Sequence, residues 1–102
     1  MKDVDIDPGV VAEFMEAVRW YEEKQEGVGR RFAQDLDNLF ESLPSYRMRP
    51  LRGFKRYGAS FVEVGKPWPY RLIVIERGTS LWVVALAHNR RQPGYWLPRV
   101  TG

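Results

Sequence analysis

The sequence predicts an α+β fold in which an N-terminal α-helical hairpin packs on an antiparallel β-sheet of three to four strands. Apolar residues recur every three or four positions up to residue 43, and short apolar runs typical of strands follow from residue 56 onward. Glycine- or proline-containing joints separate these segments. Because 102 residues suffice for one hydrophobic core, we predict a single domain over residues 1–102.

The N-terminal half predicts two antiparallel helices. Asp7 and Pro8 form a start signal, because aspartate caps a helix and proline is tolerated at its first position. The first apolar stripe then continues to Lys24, and a second stripe occupies residues 32–43 before a proline stops it. The joint at residues 27–29 is so short that the helices must form a hairpin.

The C-terminal half predicts an antiparallel sheet of consecutive strands. The basic segment 45–55 before these strands is predicted to be a loop. Near the N-terminus, residues 3–6 fit either a short strand or an extended lead-in. Residues 56–65 alternate well enough for a strand. Residues 70–76 and 81–87 are nearly continuous apolar runs, which is typical of central strands with at least one face covered by helices.

Composition excludes several classes of protein. There is no cysteine and His88 is the sole histidine, so we predict no disulfide, no metal site and no cofactor. The longest apolar run, at residues 81–87, is too short to cross a bilayer, and the N-terminus lacks the apolar stretch of a secretory leader. We therefore expect a soluble, cytoplasmic protein without a membrane partner.

Charge is divided unevenly along the chain. Residues 1–46 carry a net charge of about −6, whereas residues 47–102 carry about +9 with only two acidic residues among them. A basic half of this kind favours a polyanion or an acidic protein as partner. A surface that merely keeps the protein soluble is an equally good interpretation.

Cationic and aromatic residues are concentrated where the last predicted strand ends. Imidazole, guanidinium and tyrosine groups suit RNA, because they can move protons, hold phosphates and stack on bases. They suit protein recognition equally well. Each also has a structural interpretation, as a strand cap, a core residue or a frayed tail. The residues are His88, Arg90, Arg91, Tyr95 and Arg99, with Arg56 and Arg71 on strands that can lie alongside.

Three segments carry a resemblance to a known family. They are AVRWYE at residues 17–22 leading to GVGRRF at 27–32, PYRLIV at 69–74, and AHNRRQPGYW at 87–96. On these residues, in this order, the chain resembles the RelE/ParE superfamily of type II toxin-antitoxin toxins. The resemblance covers roughly residues 11–99 and implies a RelE/ParE-like fold. It also implies a toxin held inactive by a cognate antitoxin that wraps it in a hetero-oligomer.

The resemblance implies one of two targets. RelE-like members cleave mRNA in the ribosomal A site, and Arg71, Arg91 and Tyr95 match the residues of that branch, with His88 as a further proton-transfer group. ParE-like members inhibit DNA gyrase. Asn89 stands where the RelE-like branch often has an arginine, and the ending of the chain is more typical of sequences described as ParE-like or as plasmid stabilisation proteins.

From the resemblance we expect a ParE-like toxin that inhibits growth through DNA gyrase and uses no catalytic residues. The alternative is a RelE-like endoribonuclease with His88, Tyr95, Arg71 and Arg91 as catalytic residues. A second alternative is a non-toxic basic module that only binds an acidic partner. The predicted target- or nucleic-acid-binding residues are Arg56, Arg71, Arg90, Arg91, Tyr95, Trp96 and Arg99.

Overall fold

Two antiparallel helices cover one face of a five-stranded sheet in the computed structural model, which describes residues 2–102. Among these residues no helix is both long enough and apolar enough to cross a membrane. The α+β prediction is confirmed. The elements in chain order are β1 (Asp3–Ile6), α1 (Pro8–Lys24), α2 (Val28–Ser42), β2 (Arg49–Pro50), β3 (Ala59–Glu63), β4 (Tyr70–Arg77), β5 (Ser80–His88) and α3 (Leu97–Thr101).

The sheet has one or two strands more than predicted, and both additional strands are short and lie at its edges. The strand order is β1-β5-β4-β3-β2, with β1 parallel to β5 and the other pairs antiparallel. The two-residue strand β2 lies inside the segment predicted to be a loop, because two residues are too few to show a periodicity. Strand β3 begins at Ala59, three residues later than predicted, because Lys55–Tyr57 forms a 3-10 turn.

The Glu22 side chain and Gly29 hold α1 and α2 together at the turn of the hairpin. The Glu22 carboxylate accepts hydrogen bonds from the backbone N–H groups of Gly27 (2.8 Å) and Gly29 (3.0 Å) at the start of α2. These hydrogen bonds lower the pKa of Glu22, because they favour the charged carboxylate. A Cβ atom on Gly29 would lie 2.5 Å from the Val18 carbonyl oxygen, so the close approach of the helices requires glycine there.

The covered face of the sheet, which packs against α1 and α2, holds the larger core. Phe32 of α2 is fully buried and its ring lies 5.0 Å from the Trp68 ring and 5.4 Å from the Tyr70 ring. The Trp68 indole N–H donates a hydrogen bond to Asp35 (2.8 Å), which satisfies the polar atom of that buried side chain. The sheet contributes Val62, Leu72, Val74, Leu81, Val83 and Leu86 to this core.

The opposite face, which we call the open face, has a smaller core and no long helix over it. A β-bulge shapes it: Ile73 pairs with Ala85 and Val74 pairs with Val83, so Val84 is an extra residue in β5. Consequently Val84 and Ala85, although adjacent in sequence, both belong to the open-face core. Within residues 2–102, the loop before β3 and the C-terminal segment after β5 pack over this core, and they leave part of the face uncovered.

Candidate functional site

The uncovered part of the open face is a cavity of about 400 Å³. Three parts of the chain form its walls: residues 50–52 and 54 before β3, side chains of strands β3, β4 and β5, and residues 89 and 91–96 after β5. Strands β3 and β4 contribute Phe61, Arg71 and Ile73, and the loop contributes Arg52 and Phe54. The cavity therefore combines an apolar floor with cationic and aromatic walls.

Arg71 on β4 is the most enclosed cation of the cavity. Its guanidinium carbon lies 4.4 Å from the centre of the Phe61 ring, close enough for a cation–π interaction. Its ion pair with Glu63 is loose, at 3.6 Å between Nη2 and the carboxylate. The Nε atom is buried and has no hydrogen-bond partner among residues 2–102. Arg71 thus brings a partly enclosed guanidinium, with one buried donor unpaired, to the wall of the cavity.

Arg91 supplies a second guanidinium from the segment after β5. It is exposed, and its guanidinium carbon lies 3.9 Å from the centre of the Tyr95 ring. Both residues line the same cavity as Arg71 and Phe61. Two guanidinium–aromatic pairs thus lie in one concave site, an arrangement suited to an anion attached to a flat or apolar group.

His88 belongs to the cavity wall, but its imidazole is directed elsewhere. Side chains alternate along β5, and Ala87 belongs to the open-face core, so the His88 ring lies on the covered side. There it packs edge-on against the Tyr70 ring, 5.1 Å away. Its Nδ1 atom accepts a hydrogen bond from the Arg90 backbone N–H (3.0 Å), which requires Nδ1 to be unprotonated.

Tyr95 presents its ring to the cavity and its hydroxyl to the interior. The hydroxyl donates a hydrogen bond to Glu13 Oε2 (2.6 Å) and lies 3.3 Å from the Leu86 carbonyl oxygen. Burial, followed by the hydrogen bond to the Glu13 carboxylate, raises the pKa of Tyr95 far above its ordinary value. The phenol therefore keeps its proton at neutral pH.

Trp96 and Arg99, predicted as target-binding residues, make contacts inside the protein, and their part in target binding stays a prediction. Trp96 is 2% exposed and packs against Phe54 at a ring distance of 5.2 Å, because its large apolar surface fills the open-face core. The Arg99 guanidinium forms an ion pair with Glu13 (3.0 Å) and donates to the Val84 carbonyl (2.8 Å). The Arg99 guanidinium is thus engaged within the protein, whereas Trp96 also forms part of the cavity wall.

Arg56 and Arg90 are exposed but lie outside the cavity. Arg56 belongs to the 3-10 turn before β3, where its guanidinium carbon lies 5.9 Å from the Tyr57 ring. Arg90 lies in the turn directly after β5. Both add to the positive charge around the open face, and their part in target binding stays a prediction.

The residues at or beside the cavity that sequence reasoning missed include Arg52, Phe54, Phe61 and Glu13. A signal for Phe61 existed, because Phe61 and Glu63 alternate on one side of β3 and antiparallel pairing sets Glu63 opposite Arg71. No signal marked Glu13, which looks like any acidic residue on a helix. No group of three or more histidine or acidic side chains within residues 2–102 is placed to hold a metal ion.

The fold of this chain is similar to that of a solved structure. No protein-family profile matches the chain, and no curated protein sequence matches it. A solved structure described as the chromosomal ParDE TA system from P. aeruginosa has a similar fold, with a TM-score of 0.62 at 13% sequence identity. The match covers 86% of this chain and 96% of that chain. The RelE/ParE-like fold that the three motifs imply is therefore confirmed.

Proposed function

We propose that this protein is the toxin of a type II toxin-antitoxin system, kept inactive in a hetero-oligomer with a cognate antitoxin. The observation that carries the proposal is the fold shared with a chain of a ParDE toxin-antitoxin system over 96% of that chain's length. The motif AHNRRQPGYW at residues 87–96 supports it independently, because it resembles the ending of toxins of this superfamily.

The surface of α1 supports a protein partner. Val11 and Met15 are 48% and 58% exposed, although both are apolar. Met15 lines a shallow groove between α1 and α2 together with Phe14, Val18 and Ala33. Contiguous apolar side chains on the surface of a small protein are typical of a protein–protein interface. A partner that covers this groove removes them from water.

For the target we propose DNA gyrase, as for ParE-like toxins. The geometry supports binding more than proton transfer. The Tyr95 hydroxyl is occupied by Glu13, and the His88 ring packs against Tyr70 on the covered side. A hydroxyl bonded to a carboxylate and a ring packed on the covered side are poorly placed for proton transfer in the cavity, whereas Arg71 and Arg91 line it with guanidinium donors.

A specific observation also favours the RelE-like alternative. Arg71 and Arg91 share one cavity with the Phe61 and Tyr95 rings. A site with guanidiniums for phosphates and aromatic rings for bases is suited to single-stranded RNA. In that case the protein cleaves mRNA on the ribosome.

Controlled expression in a bacterium, with and without the gene beside this one, tests the toxin proposal. We expect growth to stop when the protein is expressed alone and to resume when the neighbouring antitoxin is co-expressed. The Arg91→Ala variant should inhibit growth far less, whereas Lys24→Ala, which removes an exposed charge on the helical side, serves as the matched control. Harmless expression at high level would contradict the proposal and favour a basic interaction module.

Two assays with purified protein separate the targets. A gyrase inhibitor should block DNA supercoiling and leave ribosome-bound mRNA intact, and His88→Ala should keep that inhibition. A ribonuclease should produce codon-positioned cuts, and the cleavage rate should fall about a hundredfold or more when a proton-transfer group is removed.

Antitoxin affinity measured at rising salt concentration should fall, because charge-steered association is screened.

A further inference from the structure

One edge of β5 loses its strand partner halfway along. β1 pairs with β5 only as far as Ile6 and Val83, and the Asp7 N–H then donates to the Val83 carbonyl (2.9 Å) as the chain turns into α1. Beyond this point no described strand pairs with this edge of residues 84–86. Backbone groups inside a protein need hydrogen-bond partners, so these groups must be satisfied in another way.

Three side chains take the place of the missing strand. The Leu86 N–H donates to Glu13 Oε1 (3.0 Å), and Arg99 Nη1 donates to the Val84 carbonyl (2.8 Å). The Tyr95 hydroxyl lies 3.3 Å from the Leu86 carbonyl oxygen. One of these side chains comes from α1 and two come from the C-terminal segment, so the edge joins the two ends of the chain.

The Glu13 carboxylate is the centre of this arrangement. Besides the hydrogen bond from the Leu86 N–H, it accepts one from the Tyr95 hydroxyl (2.6 Å). It also accepts one from each terminal nitrogen of Arg99 (3.0 and 3.1 Å). A guanidinium that bonds both oxygens of a carboxylate is held more firmly than a single-point contact. Gly9 makes room for it, because a Cβ atom there would lie 2.5 Å from Arg99 Cζ.

The same contacts fix the wall of the cavity. The Tyr95 hydroxyl is held by its hydrogen bond to Glu13. The Tyr95 ring contacts the Arg91 guanidinium, whose carbon lies 3.9 Å from the ring centre. We propose that Glu13 is a positioning residue for the candidate site: it holds Tyr95 and Arg99 on the β5 edge and thereby sets the place of Arg91. The biological meaning of this role rests on the proposed function of the cavity.

Solution NMR of the full-length protein tests the positioning directly. The aromatic ring current of Tyr95 should shift the side-chain protons of Arg91 upfield in the wild-type protein. Glu13→Gln should move these signals most of the way towards the values of a free arginine and should speed hydrogen exchange at the Leu86 amide. Glu16→Gln is the matched control, because Glu16 is an exposed residue of the same helix. Unchanged Arg91 signals in folded Glu13→Gln would overturn the proposal.

A second variant covers the case in which Glu13→Gln does not fold. Tyr95→Phe keeps the ring and removes only the hydroxyl that Glu13 holds, so the upfield shift of Arg91 should shrink while the melting temperature stays measurable. An unchanged shift in Tyr95→Phe would also overturn the proposal. If Glu13 only stabilised the fold, Glu13→Gln would lower the melting temperature. The Arg91 signals would then not move relative to those of other exposed arginines.

Growth inhibition separates this proposal from the proposed function. If the wild-type protein is toxic, Glu13→Gln should lose toxicity to the same degree as Arg91→Ala, and the double variant should lose no more than either single one. Additive losses would contradict the proposal, because they would mean that Glu13 acts independently of Arg91. If the wild-type protein is harmless, the toxin proposal fails and the NMR signals alone decide whether Glu13 positions Arg91.

Discussion

The two faces of the sheet are held by different interactions. On the covered face, aromatic and aliphatic side chains such as Phe32 and Leu72 are fully buried between helices and strands. On the open face, a thinner apolar core is joined to hydrogen bonds and an ion pair around Glu13, and a cavity with two guanidinium–aromatic pairs remains. The larger core and the proposed binding cavity therefore lie on opposite sides of one sheet, and substitutions on the two faces can test whether stability and binding are separable.

The largest expected effect comes from emptying the covered core. Phe32→Ala should lower the free energy of unfolding by about 3–5 kcal/mol, because it removes a fully buried ring and leaves a cavity. Phe61→Ala on the open face, where the ring is only partly buried, should cost about 1–2 kcal/mol. Urea unfolding of both variants measures the difference. Equal losses would contradict the division between the faces.

A smaller effect is expected from crowding the helices that form the covered side. Gly29→Ala should lower the free energy of unfolding by about 1–3 kcal/mol, because its Cβ meets the rigid Val18 carbonyl and forces α1 and α2 apart. Gln25→Ala, at an exposed position of the same joint, should change it by less than about 0.5 kcal/mol. Thermal unfolding followed by circular dichroism compares the two, and a neutral Gly29→Ala would show that the hairpin is not tightly packed.

The pH dependence of stability should reveal the polar cluster of the open face. Because the pKa of Tyr95 is raised in the folded protein, its contribution is complete below about pH 10, the ordinary tyrosine pKa, and is lost as the pH rises through the folded-state value. Tyr95→Phe should therefore lose stability less steeply above about pH 10. Tyr70→Phe is the control on the covered side, where burial also raises the pKa. Identical alkaline profiles for wild type and Tyr95→Phe would contradict the assignment.

The variant with the smallest expected effect on stability, Arg91→Ala, should have the largest effect on growth inhibition. Arg91→Ala should change the free energy of unfolding by less than about 0.5 kcal/mol, because the side chain is exposed. The same limit applies to Lys24→Ala, whose ammonium lies 5.1 Å from the exposed Trp20 ring on the helical side. Growth inhibition should fall for Arg91→Ala only. A similar loss in both variants would indicate that charge as such, rather than the open face, carries the activity.

Much of the fold follows from local patterns. The stripe after Pro8 predicts α1 to its observed end at Lys24, and the two apolar runs predict β4 and β5 to within one residue at each end. Repetition over many residues makes such patterns readable. The short strands β1 and β2 have no such repetition, and they form because longer strands offer unpaired edges.

The candidate site is predictable only in part. Arg71, Arg91 and Tyr95 are predicted from their residue types and their resemblance to toxin motifs, and the structure places all three at one cavity. Trp96 and Arg99 belong to the same cationic and aromatic stretch, yet they serve the core and the β5 edge. A residue type indicates which contacts a side chain can make, whereas the direction of the side chain decides which contact it does make.

The sequence by itself therefore determined the hairpin, the central strands, the uneven charge and the RelE/ParE-like resemblance, because each depends on residues that are close along the chain. Only the tertiary structure decided that the β5 edge needs side-chain partners, that the bulge at Val84 shifts the alternation, and that Glu13 holds Tyr95 and Arg99. The Glu13 contacts join residues more than eighty positions apart, and their hydrogen bonds arise only when the two ends of the chain meet.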